Sequence, residues 1–147
     1  LTMTARMKIP NPAYFARKLK TFLHERHPLL EKTDEMIRIR SNKAWNVAWN
    51  ALQSGENIHS ALQKADKVLF EGLLFSKYDT LRCILSAEFP EIPLSEQHEY
   101  VVWLLPLCNE VFMHYDLRDD LLSSPEYNHL IFDLIEIIRR HIGGHLH

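Results

Sequence analysis

Glycine is scarce in this chain: four in 147 residues. A backbone cradle for phosphate needs several glycines close together. Neither a phosphate-binding loop nor a dinucleotide fingerprint is present. With only seven prolines beside them, the chain is not a disordered or loop-rich one. Two cysteines exclude a disulfide-dense scaffold. Cys83 and Cys108 both fall in apolar helical patterns and read as a pair of buried thiols, with a disulfide or a reactive thiol as the alternative. No apolar run approaches the roughly 18 residues of a membrane span. Residues 1–8 lack the apolar core of a signal peptide, so a cytoplasmic protein is expected. No serine, cysteine or lysine stands in a nucleophile motif, no strand pattern emerges, and no cofactor is implied.

What is present is a chain of ordinary hydrophobicity, 46% apolar and 24% charged, long enough to bury one sizeable core. Its formal net charge of −2 hides a split. Residues 1–43 hold ten Lys/Arg against four Asp/Glu, a net of +6. Residues 44–147 hold seven against fifteen, a net of −8. The plain reading is that the two ends neutralise each other, within one chain or across a dimer. The sharper one is an anionic partner for the basic end.

The periodicity predicts an all-α, multi-helical domain of six main helices, with room for a seventh. Residues 1–10 read as a flexible arm, 11–142 as a single helical domain and 143–147 as a tail. Asn11-Pro12 is a helix start, Asn capping free amides and Pro losing nothing at the first helical position. Phe15, Leu19, Phe22 and Leu23 follow at helical spacing, and His27-Pro28 stops the helix. Thr33-Asp34-Glu35 opens a second helix that can run to Ser54, before Gly55. Ser41, Ala44 and Ala48 on its apolar stripe predict close approach by a neighbouring helix.

Asn57 caps a third helix that ends at Gly72. An apolar corner, Leu73-Leu74-Phe75, then leads into a fourth helix capped by Ser76, with Asp79 as its capping-box partner. All three corner side chains are expected to anchor in the core. Pro90-Glu91-Ile92-Pro93 is a stiff linker. The fifth helix contains Pro106, which predicts a kink or two shorter helices meeting. Ser124-Pro125 caps the last helix, and Gly143-Gly144 ends it.

Several clusters invite a chemical reading and resist it. His24-Glu25-Arg26-His27 lacks the i, i+4 histidine spacing of the zinc motif and has no evident third ligand. Glu110 and His114 are one turn apart, but di-iron bundles use two Glu-x-x-His copies at i, i+3. His141, His145 and His147 read as tail residues. Asp116, Asp119 and Asp120 lack a calcium-loop pattern and read as a solvated turn.

A nucleic-acid reading rests on the basic third, which also includes Arg6, Lys8, Lys20 and Lys43, with Arg17, Lys18, Arg38 and Arg40 as the candidate phosphate contacts. Trp45, Trp49 and Trp103 are candidates for a binding groove, although aromatics at helical spacing more commonly pack in a core. At the central corner, Gly72, Ser76 and Asp79 have structural work. Lys77 and Tyr78 do not, which makes them the candidate binding residues there.

The segment Leu69-Phe70-Glu71-Gly72-Leu73-Leu74-Phe75-Ser76-Lys77-Tyr78-Asp79-Thr80-Leu81 resembles a domain-of-unknown-function family of small bacterial proteins from anaerobic Gram-negative gut and oral bacteria. Phe22-Leu23 with His27-Pro28, Glu88-Phe89, Leu104-Leu105-Pro106, Asp119-Asp120 and Pro125-Glu126-Tyr127 extend the similarity. The resemblance implies an all-helical fold and genes that often lie near mobile-element genes. It assigns no catalytic or binding residue. The expectation is therefore a non-enzymatic protein-interaction module, in the setting of a mobile genetic element. A nucleic-acid-binding protein is the first alternative and a metal-dependent enzyme the second. The expected partner is a protein, with a homo-oligomer and nucleic acid also open, and no membrane.

Overall fold

The computed structural model describes residues 11–145. The arm expected over 1–10 and the tail beyond His145 lie outside the described residues, and with them Arg6, Lys8 and His147. Six α-helices follow in order: α1 (Pro12–Arg26), α2 (Asp34–Gln53), α3 (Ile58–Leu69), α4 (Lys77–Glu88), α5 (Leu94–Met113) and α6 (Glu126–His145). A 3-10 turn at Leu121–Ser123 precedes α6. No strand occurs among the described residues. This single all-helical domain is built from two compact units divided between Glu71 and Gly72.

The first unit is a three-helix packing with α2 in the middle, against α1 and, more extensively, α3. The N-caps are those the local sequence specifies. Asn11 accepts from the Tyr14 amide at 3.1 Å and Asn57 from the Ser60 amide at 2.8 Å, each satisfying an amide that the first helical turn leaves unpaired. Ala44, Ala48, Ala61 and Ala65 are all fully buried. Small side chains on both α2 and α3 let the two backbones approach closely, as the stripe on α2 predicts. Phe15 and Leu19 of α1 complete this core. The buried Ser41 hydroxyl donates to the Ile37 carbonyl, so this polar atom is not left unpaired.

The second unit closes α4, α5 and α6 around Leu81, Leu85, Leu104, Cys108, Leu130 and Leu134. On α6 the buried row Leu130, Leu134, Ile138 and Ile142 steps every four residues. That row explains one difference from the sequence expectation. Gly143 does not adopt a left-handed conformation, and α6 continues through Gly143-Gly144 to His145. Glycine stops a helix only when the chain turns there, and burial of Ile142 holds the last turn in place.

Of the two outcomes expected at Pro106, the second is ruled out. α5 runs unbroken through Pro106, so two shorter helices do not form. The cost is one missing amide donor to the carbonyl four residues earlier. The Ser124 hydroxyl donates to the Leu121 carbonyl at 2.8 Å and closes the 3-10 turn, and α6 begins at Glu126.

The two thiols are not alike. Cys108 is fully buried, and burial pushes its thiol up to about 11, whereas Cys83 is exposed. A thiol reagent is therefore expected to label one cysteine per native chain, Cys83, and both only in denaturant. Native labelling of Cys108 at a comparable rate, detected by peptide mass analysis, would contradict this packing.

Candidate interaction surface

The corner at the start of the second unit is built for structure. Gly72 sits at φ +77°, which a residue with a Cβ rarely adopts. The Asp119 carboxylate reaches across the unit to this corner. One of its oxygens accepts from the Gly72 amide at 2.7 Å and the other from the Leu74 amide at 3.1 Å. Asp119 is thus not part of a merely solvated turn. It satisfies two backbone donors that no helix or strand pairs.

Leu73 and Phe75 are buried, but Leu74 is 40% exposed, so only two of the three apolar corner residues anchor it. The Ser76 hydroxyl accepts from the Asp79 amide at 3.0 Å and starts α4. The Thr80 hydroxyl donates to the Ser76 carbonyl at 2.7 Å.

Lys77 and Tyr78 both turn towards α5. A lysine in the first turn opposes the helix dipole, and Lys77 places its ammonium 5.5 Å from the centre of the Phe112 ring instead. The Tyr78 hydroxyl and His98 Nδ1 share a hydrogen bond of 2.8 Å, with their rings 5.6 Å apart. Each residue therefore has an intramolecular role that its local sequence does not reveal.

The four basic candidates in the first unit fare differently from one another. The Lys18 ammonium lies 2.8 Å from both Asp66 oxygens and near the Tyr14 and Phe70 rings, which ties α1 to α3. The Arg40 guanidinium donates to the Leu69 carbonyl at 3.0 Å, serving the C-terminal end of α3. Arg38 is exposed and paired with Glu35 one turn earlier, which holds the Glu35 carboxyl below its ordinary value, mainly through the hydrogen bond. Arg38 also lines a shallow groove of about 320 Å³ between α1 and α2, with Pro12, Ala16, Lys20 and Ile37. Arg17 is exposed.

Trp45 and Trp49 are half-buried on α2. Trp103 belongs to α5 and sits edge-on to the Tyr100 and His141 rings at 6.1 and 6.2 Å. No group of three or more His, Cys, Asp or Glu side chains able to hold a metal occurs among the described residues. His114 Nδ1 contacts the Glu110 backbone carbonyl at 2.6 Å, so the pair on α5 is a local helix-end contact.

The surface that sequence reading missed is the outward face of α5. Leu94, His98, Val102, Pro106, Asn109 and Met113 are all exposed and step along the helix by three or four residues, so they form one line. Leu94 is 77%, Met113 75% and Val102 43% exposed. The adjoining face, with Val101, Leu104, Cys108 and Phe112, is the buried one. α5 is apolar on both sides, and that is the signal: Val101 to Leu105 is apolar across more than one helix face. Tyr78 packs beside this line through His98.

Residues 10–145 match the family DUF1896, a domain of unknown function. The chain belongs to this family. The DUF1896 protein is also similar to a solved structure, that of protein PG0816 from Porphyromonas gingivalis, at 33% sequence identity. The similarity covers 98% of this chain and 97% of that one, with a TM-score of 0.83. No curated protein matches the chain. No helix of this DUF1896 protein, among the described residues, is long and apolar enough to cross a membrane.

Proposed function

We propose that this DUF1896 protein is a non-enzymatic interaction module that binds another protein through α5. The observation that carries this reading is the exposed apolar line Leu94, Val102 and Met113 on a helix whose other face is already buried. Scattered exposed apolar residues are ordinary, but a row of them along about 28 Å of one helix favours a macromolecular contact. The wider setting is a cytoplasmic protein accessory to a mobile genetic element: the first part rests on the absence of a signal-peptide core in residues 1–8, the second on the family resemblance alone.

The nucleic-acid alternative is weakened because Lys18 and Arg40 are spent on helix packing, leaving Arg17 and Arg38 as its exposed candidates. The test is affinity capture of native partners from the source cell, with wild type and a triple variant, Leu94→Glu, Val102→Glu and Met113→Glu. A protein retained by wild type and lost from an equally stable variant is the expected result. Partners identical on both, nucleic acid as the retained species, or turnover in a broad substrate screen would each overturn the proposal.

A further inference from the structure

We infer that the exposed line on α5 docks a basic, amphipathic α-helix of a partner protein. This rests on the interaction reading above and adds the class of partner. Charge carries the argument. α5 holds Glu96, Glu99 and Glu110 and no lysine or arginine. At 100° per residue these acids fall along one edge of the apolar line, and all three are exposed.

The surrounding unit reinforces them. Residues 72–147 carry five Lys/Arg against twelve Asp/Glu, a net of −7. One of those five, Lys77, is already held over Phe112. A partner must therefore bring apolar anchors at i, i+4 and i+7 and place its Lys or Arg on one flank. Met113 at the end of the line adds a side chain that adapts to different anchors.

Other occupants fit less well. Adding a strand needs a sheet edge, and no strand occurs among the described residues. A second copy laid α5 against α5 would set two acidic rows near one another. Nucleic acid and anionic lipid meet the same repulsion.

The experiment uses the full chain and synthetic helical peptides of ~18 residues, the length matching the line. One peptide has leucines at i, i+4, i+7 and i+11 with lysines on one flank. A second replaces those lysines by glutamates, and a third scrambles the basic sequence. Fluorescence anisotropy at low salt is expected to show the basic amphipathic peptide binding about tenfold or more tighter than the acidic one, with the advantage shrinking as salt rises. The scrambled peptide, which keeps the charge but not the apolar face, should bind far more weakly than the basic amphipathic one.

Two variants keep the result falsifiable. Glu96→Lys, Glu99→Lys and Glu110→Lys together should reverse the preference, and Val102→Glu should weaken both helical peptides, each with wild-type thermal melting. Equal binding of basic and scrambled peptides, no reversal in the lysine variant, or self-association through α5 in sedimentation would overturn the inference. If α5-dependent partner capture holds while the basic preference fails, only the partner class falls. If capture itself fails, the interaction reading falls first.

Discussion

Asp119→Ala is expected to destabilise the protein by about 2–4 kcal/mol, because it removes a carboxylate that satisfies two backbone amides at once. Those amides, on Gly72 and Leu74, belong to a corner between helices and have no regular-structure partner. Both bonds are to an ionised acceptor, which is why each is worth more than a neutral pair. For a chain of this length the loss corresponds to a fall in melting temperature of about 5–15 °C. Asp119→Asn keeps one acceptor oxygen and offers an amide in place of the other, so it should fall between alanine and wild type. Asp120→Ala is the control. Asp120 is exposed and bonded to Arg118, an arrangement worth little in water. Urea denaturation of the three variants measures this directly. An Asp119→Ala midpoint equal to that of Asp120→Ala would show that the corner does not depend on the carboxylate.

Ala48→Leu is expected to cost about 3 kcal/mol, through overpacking where α2 and α3 meet. Ala48 is fully buried, as are Ala61 and Ala65 on α3. A larger side chain there must push two helices apart or leave its preferred rotamer. Ala48→Gly removes a methyl group and loosens the helix, a smaller loss of roughly 1–2 kcal/mol. The ranking leucine worse than glycine is the informative outcome. Deletion hurts more than insertion at a loosely packed site, and the order reverses at a tight one. Equilibrium unfolding of both variants gives it, and a leucine variant as stable as wild type would mean that the two helices are not closely packed.

The helix starts were legible because a cap acts within four residues. Asn11, Asn57 and Ser76 each bond an amide three positions on, so the sequence alone carries both partners. The buried stripes were legible for the same reason, since period 3.6 is a local property. What could not be read were the pairings across long separations. Asp119 meets Gly72 47 residues away, and Lys18 meets Asp66 48 residues away. Nothing in the sequence near Lys18 distinguishes an ion pair between helices from a free phosphate contact. The α5 line was hidden by a different cause. When both faces of a helix are apolar, periodicity does not say which one faces the core.

By itself, then, the sequence determined the fold class, the helix caps, the alanine stripe on α2 and the uneven charge. Tertiary structure set the rest, because it alone brings distant residues together. It placed the boundary between the units at Glu71 and Gly72, beyond the 43/44 point at which the basic end was delimited. It consumed Lys18 and Arg40 in packing, gave Tyr78 its partner in His98, and buried one cysteine but not the other. It also turned Val102 outward, because three packed helices bury only one face of α5.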